Sequence, residues 1–154
     1  MKKTAAMLIS AMVVFLLAGC GKITYPDLPD DAIRFEMGEY IDKDDDNAGY
    51  GTIEYDGRIY MPYGVLGKSL SEKDIDQCIG YLVMDENSSS VTDLSDKDTR
   101  VYTLTADREH HFLMEYDDTI ELMNQHLFWR AVDTRGKSIT IPGFIDSLEY
   151  SFWK

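Results

Sequence analysis

The dipeptide Asp56-Gly57 stands between two runs of β-favouring residues in YGTIEYDGRIYMPYG, and it restricts the fold of this chain more than any other local signal. Asp-Gly accepts the positive φ angles of a type I′ turn, whose twist matches that of the strands it joins, so a tight β-hairpin is expected here. Pro62 lies in the second arm and has no amide hydrogen to donate. It fits only where that strand ends or lies at a sheet edge.

The rest of the chain repeats the theme. Ser71 with Asp74 three residues on is a capping pattern for a short helical turn, and Ile79 to Met84 reads as a buried strand. The polar stretch DENSSSVTDLSDKDT is a loop. In RVYTLT, Val101 and Thr103 fall on one face and Tyr102 and Leu104 on the other. HFLMEYDDTIELMNQ reads as a second hairpin turning at Asp117-Asp118, its register open because two-residue and three-residue turns bury different side chains. HLFWRAV and SITIPGF are each expected to add a strand, and IDSLEYSFWK a final strand or a terminal helix. There is no repeat of fixed period and no long amphipathic helix. The expected fold class is mainly β or α+β, an antiparallel sheet built from hairpins with one or two short helices.

The N-terminus speaks of location. Lys2 and Lys3 precede a run, Ala5 to Leu17, that is apolar except for Ser10. Its length suits a secretory signal and is short for a membrane span. The run closes on Leu17-Ala18-Gly19-Cys20, which resembles the lipobox of bacterial lipoproteins, where the cysteine sulfur receives a diacylglyceryl group before cleavage. This resemblance makes residues 1–19 a lipoprotein signal peptide and Cys20 a lipidated N-terminus on the outer face of the bacterial cytoplasmic membrane. Residues 20–31 follow as an acidic, proline-bearing tether, and 32–154 as a single globular β-rich domain. Cleavage leaves 135 of 154 residues and, with Lys2 and Lys3 gone, moves the formal charge from −13 to −15. With Cys20 alkylated, Cys78 has no partner for an intramolecular disulfide, and its apolar setting suits a buried, unreactive thiol.

So acidic a domain is repelled by phosphate, so nucleic acid is not expected as a partner, and the lipid rather than the domain surface should hold the chain to an anionic membrane. The acid is uneven: residues 27–56 carry eleven Asp or Glu against Arg34 and Lys43. Asp42, Asp44 and Asp46 share the spacing of the first EF-hand ligands, yet Asn47 replaces the required glycine and Ile53 occupies the position of the bidentate glutamate. His110 and His111 would point to opposite faces of a strand, and His126, across a hairpin, could approach one of them. That falls short of a closed four-ligand site, so neither metal nor other cofactor is expected. The sequence lacks a dinucleotide loop, a nucleophile elbow and a C-x-x-C, and an enzyme is not expected.

The succession IEYDGRIY (53–60), LSEKDI (70–75), IGYLV (79–83), RVYTL (100–104) and FLMEYDD (112–118) resembles the β unit of the lantibiotic (nisin) immunity lipoproteins and related small surface lipoproteins of Gram-positive bacteria. The likeness covers roughly residues 50–123, and no binding residue is carried over from it. It implies a membrane-anchored binding module that intercepts a cationic, membrane-active peptide. From the residues themselves, Asp42, Asp44, Asp45 and Asp46 offer charge for such a ligand, and Tyr55 and Tyr60 on the first hairpin offer aromatic contact. The alternative is an accessory or structural subunit of a membrane complex such as a transporter.

Overall fold

The structure, a computed structural model, describes residues 23–45, 47–83, 98–117 and 126–154. The signal and lipobox with Cys20, Asp46, Met84, most of the polar loop, and Asp118 with the second arm of its expected hairpin lie outside the described residues.

Among the described residues there are nine strands: β1 Ile33–Glu36, β2 Gly38–Asp42, β3 Ala48–Tyr55, β4 Arg58–Leu66, β5 Ile75–Val83, β6 Arg100–Leu104, β7 Phe112–Tyr116, β8 Leu127–Ala131 and β9 Ile145–Ser147. The expected hairpin is β3–β4, with Tyr55 opposite Arg58 and positive φ at both Asp56 (50°) and Gly57 (70°). The short helical turn at Glu72–Asp74 forms as read: the Ser71 amide and hydroxyl each donate to the Asp74 carboxylate at 2.9 Å.

The strands form one mixed sheet in the order β1-β5-β6-β7-β8-β4-β3-β2, with β9 added to β4. β1 is parallel to β5 and every other pairing is antiparallel. The two ends of this order are consecutive in the chain, since only Met37 separates β1 from β2. One extended segment therefore pairs first with β5 and then with β3, and the sheet curls into an almost closed barrel. Where β1 parts from β3, the rings of Phe35 and Tyr55 fill the seam at 6.3 Å. The parallel pairing demands a glycine at position 80, because a Cβ there would lie 2.1 Å from the Ile33 carbonyl oxygen.

Inside the curl sit Phe35, Ile53, Tyr60, Ile79, Leu82, Val101, Leu113, Trp129 and Ala131, drawn from β1 and from β3 through β8. The outer face is also covered. Tyr63, Cys78, Tyr102, Leu104, Phe112, Met114 and Phe128 form a second cluster, packed beneath Ile23, Tyr25 and Leu28 from the N-terminal segment and Ile139, Phe144 and Trp153 from the C-terminal one. Each large side chain buried this way contributes about 1.5–3 kcal/mol. The split of Val101 from Tyr102 and Leu104 follows the alternation read in the sequence.

Pro62 sits at a local edge as expected: β4 continues to Leu66, but β3 has ended its pairing at Tyr60 and β9 joins only at Gly64, so Pro62 pairs with β8 alone, where the register shifts between Pro62 and Gly64. Two expectations are corrected. SITIPGF forms no strand; Ile139 and Phe144 pack over the outer face, and a turn closed by the Ile145 amide on the Pro142 carbonyl leads into β9. The tether is not free from Ile23 onward: Tyr25 stacks on Tyr116 at 4.2 Å, and the Thr24 amide donates to the Glu72 carboxylate at 2.7 Å.

Candidate functional site

The acidic run occupies the turn of the β2–β3 hairpin, and two of its members work inward. Asp42 is 2% exposed. One of its carboxylate oxygens accepts the Asp44 amide at 3.1 Å, and the other lies 3.1 Å from the Arg135 guanidinium, an ion pair by distance without an aligned hydrogen bond. Arg135 in turn sits 4.0 Å over the Phe152 ring. Asp45 accepts hydrogen bonds from the hydroxyls of Tyr50 and Ser151, which hold its pKa below the ordinary carboxylate value. Asp42 and Asp45 thus fasten the C-terminal segment to the hairpin. Asp42, expected as a ligand-facing carboxylate, is corrected to a structural one, because the chain's own arginine already neutralises it. Asp44 is exposed.

Tyr60 requires the same correction. Its ring is fully buried in the barrel, and its hydroxyl donates to the His110 carbonyl at 2.6 Å. Burial pushes its pKa up to about 12. No part of it is free for an external contact. Tyr55 is half-buried at the seam, against Phe35 and His110.

The exposed apolar surface of this region is made instead by Met37 (49% exposed) and Ile41 (44%), which sequence reading passed over. They share one face of the β2–β3 ribbon with Glu39, Gly49 and Gly51: a Cβ at Gly51 would meet the Met37 methyl at 3.0 Å, and one at Gly49 the Glu39 carboxylate at 2.6 Å. The opposite face is occupied, with Tyr40 and Tyr50 packed on Phe152 at 5.4 and 5.7 Å. Glu39 is the carboxylate on the free face itself, with exposed Lys43 and Asp44 in the turn at its end, whereas Arg34, Glu36 and Glu54 fall by alternation on the other side of their strands. An apolar strip around one carboxylate is therefore what the hairpin offers to solvent.

The histidines do not converge. His110 and His111 precede β7, whereas His126 lies beyond its far end beside Tyr116 at 4.4 Å, so the expected approach of His126 to either of them fails by the length of the strand. Burial lowers the pKa of His126, and its neutral ring is placed to accept the Tyr25 hydroxyl at 2.6 Å. His111 stands between Glu109, 3.0 Å from Nε2, and Asp107, 3.7 Å from Nδ1. These residues line an open groove of about 800 Å³ whose other wall is Lys137 to Thr140. Arg58 donates to the Glu109 and His110 carbonyls and pairs with Asp133 at 2.7 Å, pinning that wall to the first hairpin. Among the described residues no group of three or more His, Cys, Asp or Glu side chains is arranged to hold a metal ion. Cys78 is buried, its thiol pKa raised by desolvation.

Among the described residues no helix is long and apolar enough to cross a membrane. No family model, curated protein or solved structure matches the chain.

Proposed function

We propose that this chain is a lipid-anchored extracytoplasmic binding module, held to the outer face of the cytoplasmic membrane through Cys20, that engages a cationic, partly apolar peptide without chemical turnover. The observation that carries the reading is the free face of the β2–β3 ribbon, where exposed Met37 and Ile41 flank Glu39 on a chain of formal charge −13. Carboxylates of that kind draw a cation in and hasten encounter, while desolvated apolar contact slows its departure. With lipid on Cys20, only Gly21 and Lys22 separate the anchor from the docked segment at Ile23, about 3.5 Å of chain per residue. The binding face would then work close to the bilayer, where membrane-active peptides accumulate.

Calorimetric titration of the full chain in a nonionic detergent with a cationic amphipathic peptide, at two salt concentrations, tests this. Binding should weaken as salt rises, because exposed charges more than about 8 Å apart are largely screened at physiological ionic strength. No heat at low salt, or equal binding of every polycation, would overturn the reading. Co-purification with an integral membrane protein in place of peptide binding would favour the accessory-subunit role.

A further inference from the structure

We infer that the ligand is taken up as an added β-strand along the open edge of β2, an inference that rests on the peptide-binding reading above. Among the described residues β2 pairs with β3 alone, because the preceding strand β1 has left for β5. Alternate residues of Gly38–Asp42 therefore turn their amide and carbonyl groups away from the ladder. Natural sheets blunt such an edge with charged side chains, lysine above all, with proline or with a bulge. GEYID contains neither lysine nor proline, its exposed charge is Glu39 alone because Asp42 is buried against Arg135, and its register against β3 runs unbroken from Gly38–Thr52 to Asp42–Ala48.

The side chains beside this edge carry a pattern. Met37, Glu39 and Ile41 fall on one face at intervals of two, and Gly49 and Gly51 leave the neighbouring stretch of β3 bare, so the Met37 and Glu39 side chains lie over it. An incoming strand places its residues i, i+2 and i+4 beside these three. The fitting sequence is apolar, then Lys or Arg beside Glu39, then apolar, and the chain's formal charge of −13 favours a cationic segment over an acidic one or a second copy of this acidic chain. Main-chain hydrogen bonds would supply affinity and the alternate side chains selectivity.

The probe is a fluorescent heptapeptide with leucine, lysine and leucine at alternate positions and threonine between them, read by anisotropy against the full chain in nonionic detergent. Two variants carry N-methyl groups, one on the odd residues and one on the even, leaving charge and side chains unchanged. One should lose about ten-fold or more in affinity, as several hydrogen bonds of about 1 kcal/mol each are removed, while the other binds nearly as the parent does. Glu39→Lys should weaken the parent peptide while the fold is retained. Equal binding by both methylated forms would overturn strand addition and leave the binding reading standing. No binding of the parent would overturn both. A homodimer that Ile41→Asp dissociates, found together with peptide indifference, would assign the edge to self-pairing and overturn the proposal.

Discussion

Glu115 shows how one residue's surroundings rewrite its chemistry. It lies on the Leu113 side of β7, accepts a hydrogen bond from the Trp129 indole at 2.8 Å, and has Asp117 near it. Desolvation outweighs the indole bond, the Asp117 charge adds to it, and its pKa rises from 4.5 to about 7. Below about pH 4.5 the carboxyl is protonated in both folded and unfolded chains; between there and about 7 only the folded protein keeps the proton. Stability contributed by this group is therefore full at the acid end and lost as pH rises to about 7, at no more than about 1.4 kcal/mol per unit. Glu115→Gln should flatten that part of the profile and gain about 1–3 kcal/mol at pH 7, read from denaturant midpoints at pH 5 and pH 7. In the sequence Glu115 is one acid among many, because its raised pKa comes from burial, which only the fold decides. Tyr60 was misread for a related reason. Alternation says which residues share a face, but only the curl of the sheet decides that the face of Tyr60 is the inside.

At the scale of elements, the hairpin and the C-terminal segment mark the two extremes of legibility. Asp56-Gly57 forms its turn through local backbone preference, which two residues carry by themselves. IDSLEYSFWK has no such local code, and becomes β9 followed by a short 3₁₀ turn at Ser151–Trp153 because of what it meets. The Trp153 indole donates to the Pro62 carbonyl at 2.9 Å, on the stretch of β4 that β3 has left. Arg130 lies 4.7 Å over the Trp153 ring and 5.0 Å over Tyr63. Phe152 is fully buried among Tyr40, Tyr50 and Trp153. Phe152→Ala should accordingly destabilise the domain by about 3–5 kcal/mol. Comparison of chemical melts for the two proteins checks this, and a change below about 1 kcal/mol would show that the segment is not part of the cooperative fold.

For the whole molecule, the anchor hypothesis follows from the order of Lys2, Lys3, the apolar run and Leu17-Ala18-Gly19-Cys20. Cys20→Ala should accumulate as an unprocessed, unlipidated precursor, whereas the wild-type chain should take up labelled fatty acid and partition into the detergent phase. Normal labelling of the mutant would overturn the anchor and, with it, the membrane-proximal setting of the binding face. In the barrel, the β class, the first hairpin, the capped turn before β5 and the two-faced burial of β6 are legible in the residues alone, since these rest on φ preferences, hydrogen bonds a few residues long and a side-chain period of two. Long-range contact settles instead which strands become neighbours: that β1 and β2 join opposite ends of the sheet, that Asp42 meets Arg135, and that Met37 and Ile41 stay exposed. Those outcomes depend on contacts between residues far apart in the chain, whose free energy comes from closing one shared core, and no local pattern of residues encodes that closure.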